Sequence, residues 1–138
     1  MRIRILYLLF FILIFCNCNG QQVEKTEAGN TKEHTFQMVS VPSVITEPEE
    51  RAAYLVKHYW DKFDFTDTTL IHFPEITEQA TSNYIDMMKY VPAKVAASSI
   101  KEMMSKASTD SSMFVYFSGL YEKYLYDPNS PMRDESLY

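Results

Sequence analysis

Apolar residues recur at spacings of three and four through most of the chain, which is the period of an amphipathic α-helix. The first such stretch, about 47–63, has an apolar face made of Ala52, Leu55, Val56, Tyr59, Trp60 and Phe63. Thr46 and Glu49 have the spacing of a capping box, and Pro48 suits a first helical turn, where its missing N–H costs little. The pattern predicts a helix that starts after Thr46 and buries its aromatic face.

Three further stretches repeat this pattern. Pro74 opens a second helix that Pro92 ends, Pro92 can be the first residue of a third, and Asp110 can cap a fourth. Gly119 lies within the fourth stripe and predicts a close crossing of two helices. The three apolar stripes are Ile76, Ala80, Tyr84, Met87, Met88 and Val91, then Val95, Ala96, Ile100, Met103 and Met104, then Met113, Phe114, Phe117, Leu120, Tyr121, Tyr124 and Leu125.

The last residues predict the start of a fifth helix. Ser130 and Pro131 are a good cap and first position, but the helix would stop at Tyr138, within about two turns. A helix this short is marginal on its own, which indicates truncation at the C-terminus. Residues 46–138 are therefore predicted to be a truncated all-α domain, a small antiparallel bundle of four to five amphipathic helices.

The first 45 residues have a different character. Arg2 and Arg4 precede an apolar run that is too short to span a bilayer, and small and polar residues follow. This order predicts that residues 1–20 are a signal peptide or a lipoprotein leader. Residues 21–45 are predicted to be a flexible tether that ends in an extended arm, Phe36–Ile45.

Two ways of processing the leader stay open. Cleavage after Gly20 suits a general signal peptidase, whereas lipoprotein processing would cut before Cys18 and attach lipid to its sulfur. The residues ahead of Cys18 match a lipobox poorly, but an apolar run that ends at a cysteine is typical of a lipoprotein. Both routes predict a cell-envelope protein, either in the periplasm or as an outer-membrane lipoprotein.

The charge of the chain limits its partners. The formal net charge is -5 at pH 7, which argues against nucleic acid because phosphate binding needs clustered Lys and Arg. An acidic surface is also repelled by anionic lipid, so any membrane association should come through the leader or a lipid anchor.

Few residues could carry chemistry. Both cysteines of the chain lie in the leader, so the rest can contain no disulfide and no Cys-x-x-Cys pair. His58 and Asp61 have a helical spacing that suits two metal ligands or an acid–base pair, but no third ligand is evident. Asp64, Asp67 and Glu75 lack the glycine of a calcium loop, and turns and caps explain them. We predict no catalytic, metal or cofactor site, and this chain is not expected to be an enzyme.

Aromatic residues crowd the fourth helix and cannot all face one narrow stripe. Tyr116, Tyr121, Tyr124 and Tyr126 are the candidates for an interaction surface, because tyrosine is enriched where proteins bind partners. Core packing with the hydroxyl groups reaching solvent is the alternative interpretation.

Two segments also resemble a known family. Val41–Asp64 (VPSVITEPEERAAYLVKHYWDKFD) and Tyr124–Arg133 (YLYDPNSPMR) are similar to an uncharacterised helical domain, a domain of unknown function, of Gram-negative envelope proteins. In that family the domain stands in front of a thioredoxin-like domain of the type found in envelope disulfide reductases and peroxiredoxins. The similarity extends over about residues 41–138.

The resemblance implies that this chain is a non-catalytic N-terminal accessory domain of an exported thioredoxin-like thiol–disulfide protein. Its partner would be its own thioredoxin-like domain, which this sequence does not contain, or another envelope protein. A free-standing envelope lipoprotein that binds a peptide, a glycan or a protein is the alternative.

Overall fold

A computed structural model describes residues 34–138, and the leader, Cys18 and most of the predicted tether lie outside this range. The described part is all-α, as predicted, and contains no β-strand. Its four α-helices are α1 (Pro48–His58), α2 (Pro74–Met87), α3 (Ala93–Ala107) and α4 (Ser111–Tyr121). Helix α3 packs against both α1 and α4.

The start of α1 differs from the prediction. Glu47 is the N-terminal cap residue, and it makes no side-chain hydrogen bond to the helix, so the capping box of Thr46 and Glu49 does not form. Pro48 is the first helical residue and has no N–H, which leaves one donor fewer for a cap to satisfy. The guanidinium group of Arg51 instead donates to the Ile45 carbonyl at 2.7 Å, which ties α1 to the arm.

The breaks between helices follow the prolines and Asp110. Val91, which precedes Pro92, is extended at φ -131° and ψ 157°, and α2 has ended in a 3-10 turn at Met88–Tyr90. Pro92 caps α3 rather than being its first residue. Asp110 caps α4 as predicted, because its Oδ1 accepts hydrogen bonds from the backbone N–H groups of Ser112 and Met113.

The prediction of a fifth helix is wrong. After α4 the chain makes a π-helical turn, Glu122–Tyr126, and residues 127–138 form turns and irregular structure. The Ser130 hydroxyl donates to the Tyr124 carbonyl at 2.5 Å, and the Asp134 N–H donates to the Leu125 carbonyl at 3.0 Å. These bonds fold the last residues back onto the end of α4, in place of a helix that starts at Ser130.

The core is an aromatic cluster around Trp60, in the turn that follows α1. The Trp60 ring meets Tyr84 of α2 and Phe117 of α4 edge-on, at centroid distances of 5.6 and 5.4 Å. Phe36 of the arm packs on Tyr59 and Trp60, with centroids 4.8 and 5.4 Å away. The arm therefore contributes an aromatic side chain to the helical core.

A chain of hydrogen bonds joins three helices inside this core. The Tyr84 hydroxyl of α2 donates to Ser99 Oγ of α3 at 2.5 Å, and Ser99 Oγ donates to the Val56 carbonyl of α1 at 2.7 Å. Val56 lies in the last turn of α1, where carbonyl groups run out of helical partners. Ser99 thus pairs two buried polar groups from different helices.

We expect Ser99→Ala to lower the free energy of unfolding by about 1–3 kcal/mol, because it leaves the buried Tyr84 hydroxyl without its acceptor. Urea denaturation followed by circular dichroism measures this loss. The neighbouring Ser98 is exposed, so Ser98→Ala is the matched control and should change the stability by less than about 0.5 kcal/mol. Equal losses in the two variants would contradict the role given to the hydrogen-bond chain.

Within residues 34–138, no helix is both long and apolar enough to cross a bilayer.

Candidate interaction surface

The four tyrosines proposed from the sequence as an interaction surface do not share one environment. Tyr121 is buried at 4% exposure, and its hydroxyl donates to the sulfur of Met103 at 3.7 Å. Burial raises the pKa of this hydroxyl well above its usual value. Tyr121 is therefore a core residue of α4, and its assignment to the surface was wrong.

Tyr116 and Tyr124 are half-buried and join α4 and its π-helical turn to α2. The Tyr116 hydroxyl is hydrogen-bonded to Thr77 Oγ1 at 2.7 Å, and the Tyr124 hydroxyl donates to Glu78 Oε1 at 2.8 Å. Both hydroxyl groups already have partners within the domain. Their first role is to fix the position of α4 against α2.

Glu78 is the electrostatic centre of this contact. Its carboxylate also accepts a hydrogen bond from Lys123, and the bonds from Lys123 and Tyr124 lower the pKa of Glu78. Burial, together with the neighbouring carboxylate, raises the pKa of Tyr124. The Lys123 ammonium lies 5.4 Å from the centre of the Tyr124 ring, close enough for a cation–π contact. These groups stabilise one another's charge states at the contact between α2 and the turn after α4.

Tyr126 is the exposed member of the four, at 49% exposure. Its ring stacks on that of Tyr138, with centroids 5.1 Å apart and planes inclined by 28°. Phe114 and Val115, on the same side of α4, are 42% and 68% exposed. We call Phe114, Val115, Ser118, Gly119, Tyr126 and Tyr138 the outer stripe.

The sequence interpretation missed the outer stripe because it placed Phe114 on the buried face. The signal was present, since the spacing of Met113, Phe117, Leu120 and Tyr121 already completes that face without Phe114. The close crossing predicted at Gly119 is also wrong, because a Cβ built on Gly119 would meet no atom of the described chain within 4 Å. Gly119 leaves open space on the outer side of α4.

Two shallow grooves flank the outer stripe. One, of about 300 Å³, lies between α3 and the C-terminal residues and is lined by Ile100, Met104, Ser118, Tyr121, Leu137 and Tyr138. The other, of about 410 Å³, is lined by Gly119, Glu122, Lys123, Tyr126, Asp127 and Pro128. Apolar side chains thus continue from the helix into the first groove, whereas the second is lined partly by the charged groups of Glu122, Lys123 and Asp127.

His58 and Asp61 meet in a hydrogen bond, and Lys106 forms an ion pair with the same carboxylate. His58 Nδ1 lies 2.7 Å from Asp61 Oδ2, and the Lys106 ammonium of α3 donates to Asp61 Oδ1 at 3.2 Å. Burial raises the pKa of Asp61, but the bonds from His58 and Lys106 together outweigh it, and the pKa is lowered. No three metal-ligating side chains converge anywhere in residues 34–138. His58, Asp61 and Lys106 thus connect the end of α1 to α3 at the surface.

Asp64 and Asp67 shape the loop between α1 and α2. Asp64 Oδ1 accepts hydrogen bonds from the N–H and hydroxyl groups of Thr66, and Asp67 Oδ1 accepts the same pair from Thr69. This is the turn and capping role that the composition indicated. The His34 ring, just before the arm, stacks on Phe73, with centroids 4.9 Å apart.

The fold and this surface define a small all-α domain with an exposed apolar helix face. The chain belongs to the family described as a domain of unknown function, DUF5106, whose pattern matches residues 16–138. No curated protein sequence matches the chain.

A solved structure adds one similar protein, a thioredoxin-like protein from Bacteroides caccae ATCC 43185. The two chains are 48% identical over the aligned part, and the TM-score is 0.73. The alignment covers 76% of this chain and 38% of the other. The chain therefore spans well under half of the length of that relative.

Proposed function

We propose that this chain is the non-catalytic accessory domain of an exported thiol–disulfide protein, and that it works beside a thioredoxin-like domain of the same polypeptide. The observation that carries this proposal is the relative of 48% identity, which is described as thioredoxin-like although the match covers only 38% of it. A thioredoxin-like redox motif belongs to an α/β unit, whereas residues 34–138 contain helices and no strand. We infer that the thioredoxin-like part of that relative lies outside the match.

The chemistry of the helical domain supports a positioning role. No cysteine follows Cys18, so residues 19–138 have no thiol with which to attack a disulfide. The surface ion pairs of Glu78 with Lys123 and of Asp61 with Lys106 connect different elements of the fold. The exposed outer stripe offers a surface through which the domain can hold another.

The proposed location is the cell envelope. Arg2, Arg4 and the apolar run after them support export, and Cys18 supplies a possible point of lipid attachment. The domain would then be held at the membrane by its leader or by lipid. The acidic net charge of -5 disfavours direct binding to anionic headgroups.

The test begins with the DNA that follows the codon for Tyr138. A continuing reading frame with a Cys-x-x-Cys motif is expected, and the purified full-length protein should reduce insulin disulfides. Replacing both cysteines of that motif by serine should abolish the activity, while residues 21–138 alone should have none. A stop codon directly after Tyr138, or disulfide reduction by residues 21–138, would overturn the proposal. A stop codon would favour a free-standing lipoprotein that binds a partner through the outer stripe.

The same expression experiment tests the location. In a Gram-negative host the protein should fractionate with the envelope. If Cys18 is lipidated, radiolabelled palmitate should be incorporated into the wild type and not into Cys18→Ser. Recovery of the protein in the cytoplasm with its leader intact would contradict export.

A further inference from the structure

The outer stripe contains most of the large apolar side chains that residues 34–138 expose. Seven large apolar side chains are exposed in this range, and four of them, Phe114, Val115, Tyr126 and Tyr138, belong to the outer stripe. The remaining members, Ser118 and Gly119, are small and uncharged. Glu122 and Lys123 place charged groups at the edge of the outer stripe, beside Gly119 and Tyr126. An aromatic patch with charged groups at its edge has the composition of a protein–protein interface, whose centre is apolar and whose rim is polar.

The shape of the outer stripe suits close contact with a folded partner. It runs along α4 and the π-helical turn after it, from Phe114 to Tyr126, roughly 18 Å at the rise of a helix. The open space over Gly119 would let a partner approach the helix backbone. Met104 lines the groove beside Ser118, and the flexible thioether of methionine adapts to the surface it meets.

The stacking of Tyr138 on Tyr126 favours a partner in the same polypeptide. Its ring is stacked on Tyr126, so any chain that continues beyond Tyr138 starts from one end of the outer stripe. A domain joined there through a short connection would be held beside the stripe at an effective concentration on the order of millimolar. A separate protein or a second copy of this chain would have no such advantage.

We propose that the outer stripe is the docking site for the thioredoxin-like domain that follows Tyr138 in the same polypeptide. This inference rests on the proposed function, which supplies that domain. The docked partner covers Phe114, Val115 and Tyr126 with an apolar patch of its own. Tyr138 then serves as the fixed point at which the two domains are joined.

Hydroxyl-radical footprinting of the full-length protein tests this docking, with the Tyr90 side chain as an internal reference because it is 68% exposed and outside the outer stripe. In the wild type, Phe114 and Tyr126 should be oxidised about threefold more slowly than in Val115→Asp, which places a charge in the middle of the interface. Tyr90 should be oxidised equally in both. Val44→Asp is the matched control, since Val44 is 85% exposed in the arm, and it should leave the wild-type pattern unchanged.

The docking is overturned if Phe114 and Tyr126 are oxidised at the same rate in the wild type and in Val115→Asp. Protection that grows with protein concentration would also overturn it, because the stripe would then be covered by a second copy. Insulin reduction measured on the same sample separates the two proposals. An active protein whose stripe is unprotected refutes the docking alone, whereas a continuing chain without thiol–disulfide activity refutes the proposed function.

Discussion

Phe117→Ala is expected to lower the free energy of unfolding by about 3–5 kcal/mol, a large part of the stability of a domain this size. The Phe117 ring is fully buried and contacts Trp60, Phe63 and Phe65, with centroids 5.4 to 5.8 Å away. Its removal leaves a cavity among rigid rings from several elements, and such rings cannot collapse to fill it. Urea denaturation, followed by far-ultraviolet circular dichroism and by Trp60 fluorescence, measures the loss.

Phe114→Ala is the matched control, because it makes the same truncation one turn earlier on the same helix. Phe114 is 42% exposed, so this variant should be destabilised far less, by about 1 kcal/mol or below. If Phe114→Ala costs as much as Phe117→Ala, the assignment of buried and outer faces to α4 is wrong. The comparison therefore also checks the face on which the docking proposal depends.

The positions of the four helices could be predicted because their signals are local. Prolines and a capping aspartate act on the residues beside them, and the apolar period is set by the helix itself. The ends of elements were less predictable. Helix α1 ends at His58, well before Phe63, because residues 59–62 continue in turns that carry Tyr59 and Trp60 into the core.

The composition of the surface depended on packing that no local pattern specifies. Tyr121 and Tyr126 look alike in the sequence, yet one is 4% and the other 49% exposed. The π-helical turn after Tyr121 lets Leu125 remain fully buried while Tyr126 faces solvent. The bond between Ser99 and the Val56 carbonyl joins residues 43 positions apart, and a serine at such a position has no distinctive sequence signal.

Alkaline pH is expected to destabilise the domain strongly, because three core tyrosines must keep their protons while the chain is folded. Tyr59, Tyr84 and Tyr121 are each at most 4% exposed. Burial raises the pKa of Tyr59 from 10.0 to about 12, and it raises the pKa values of Tyr84 and Tyr121 as well.

The direction of the effect follows from proton binding. Between pH 10 and the raised pKa, the unfolded chain loses protons that the folded chain retains, so stability falls as the pH increases. The stabilisation that comes from keeping the three tyrosines protonated is fully present below about pH 10 and is lost as the pH rises above that value. For each tyrosine, the free energy of unfolding falls by about 1.4 kcal/mol per pH unit. The three tyrosines together therefore give a slope of about 4 kcal/mol per pH unit.

Urea denaturation at a series of pH values from about 8 to 12 measures this slope. Tyr121→Phe removes one titrating group at small cost to packing, because its hydroxyl makes a weak hydrogen bond to the Met103 sulfur, and it should lower the slope by about one third. Tyr90→Phe is the control, since the Tyr90 side chain is 68% exposed and its hydroxyl stays in water in both states. If the slope of Tyr121→Phe equals that of the wild type, the Tyr121 hydroxyl is exposed to solvent before the domain unfolds. The contact between α3 and α4 at Met103 would then open more easily than its burial implies.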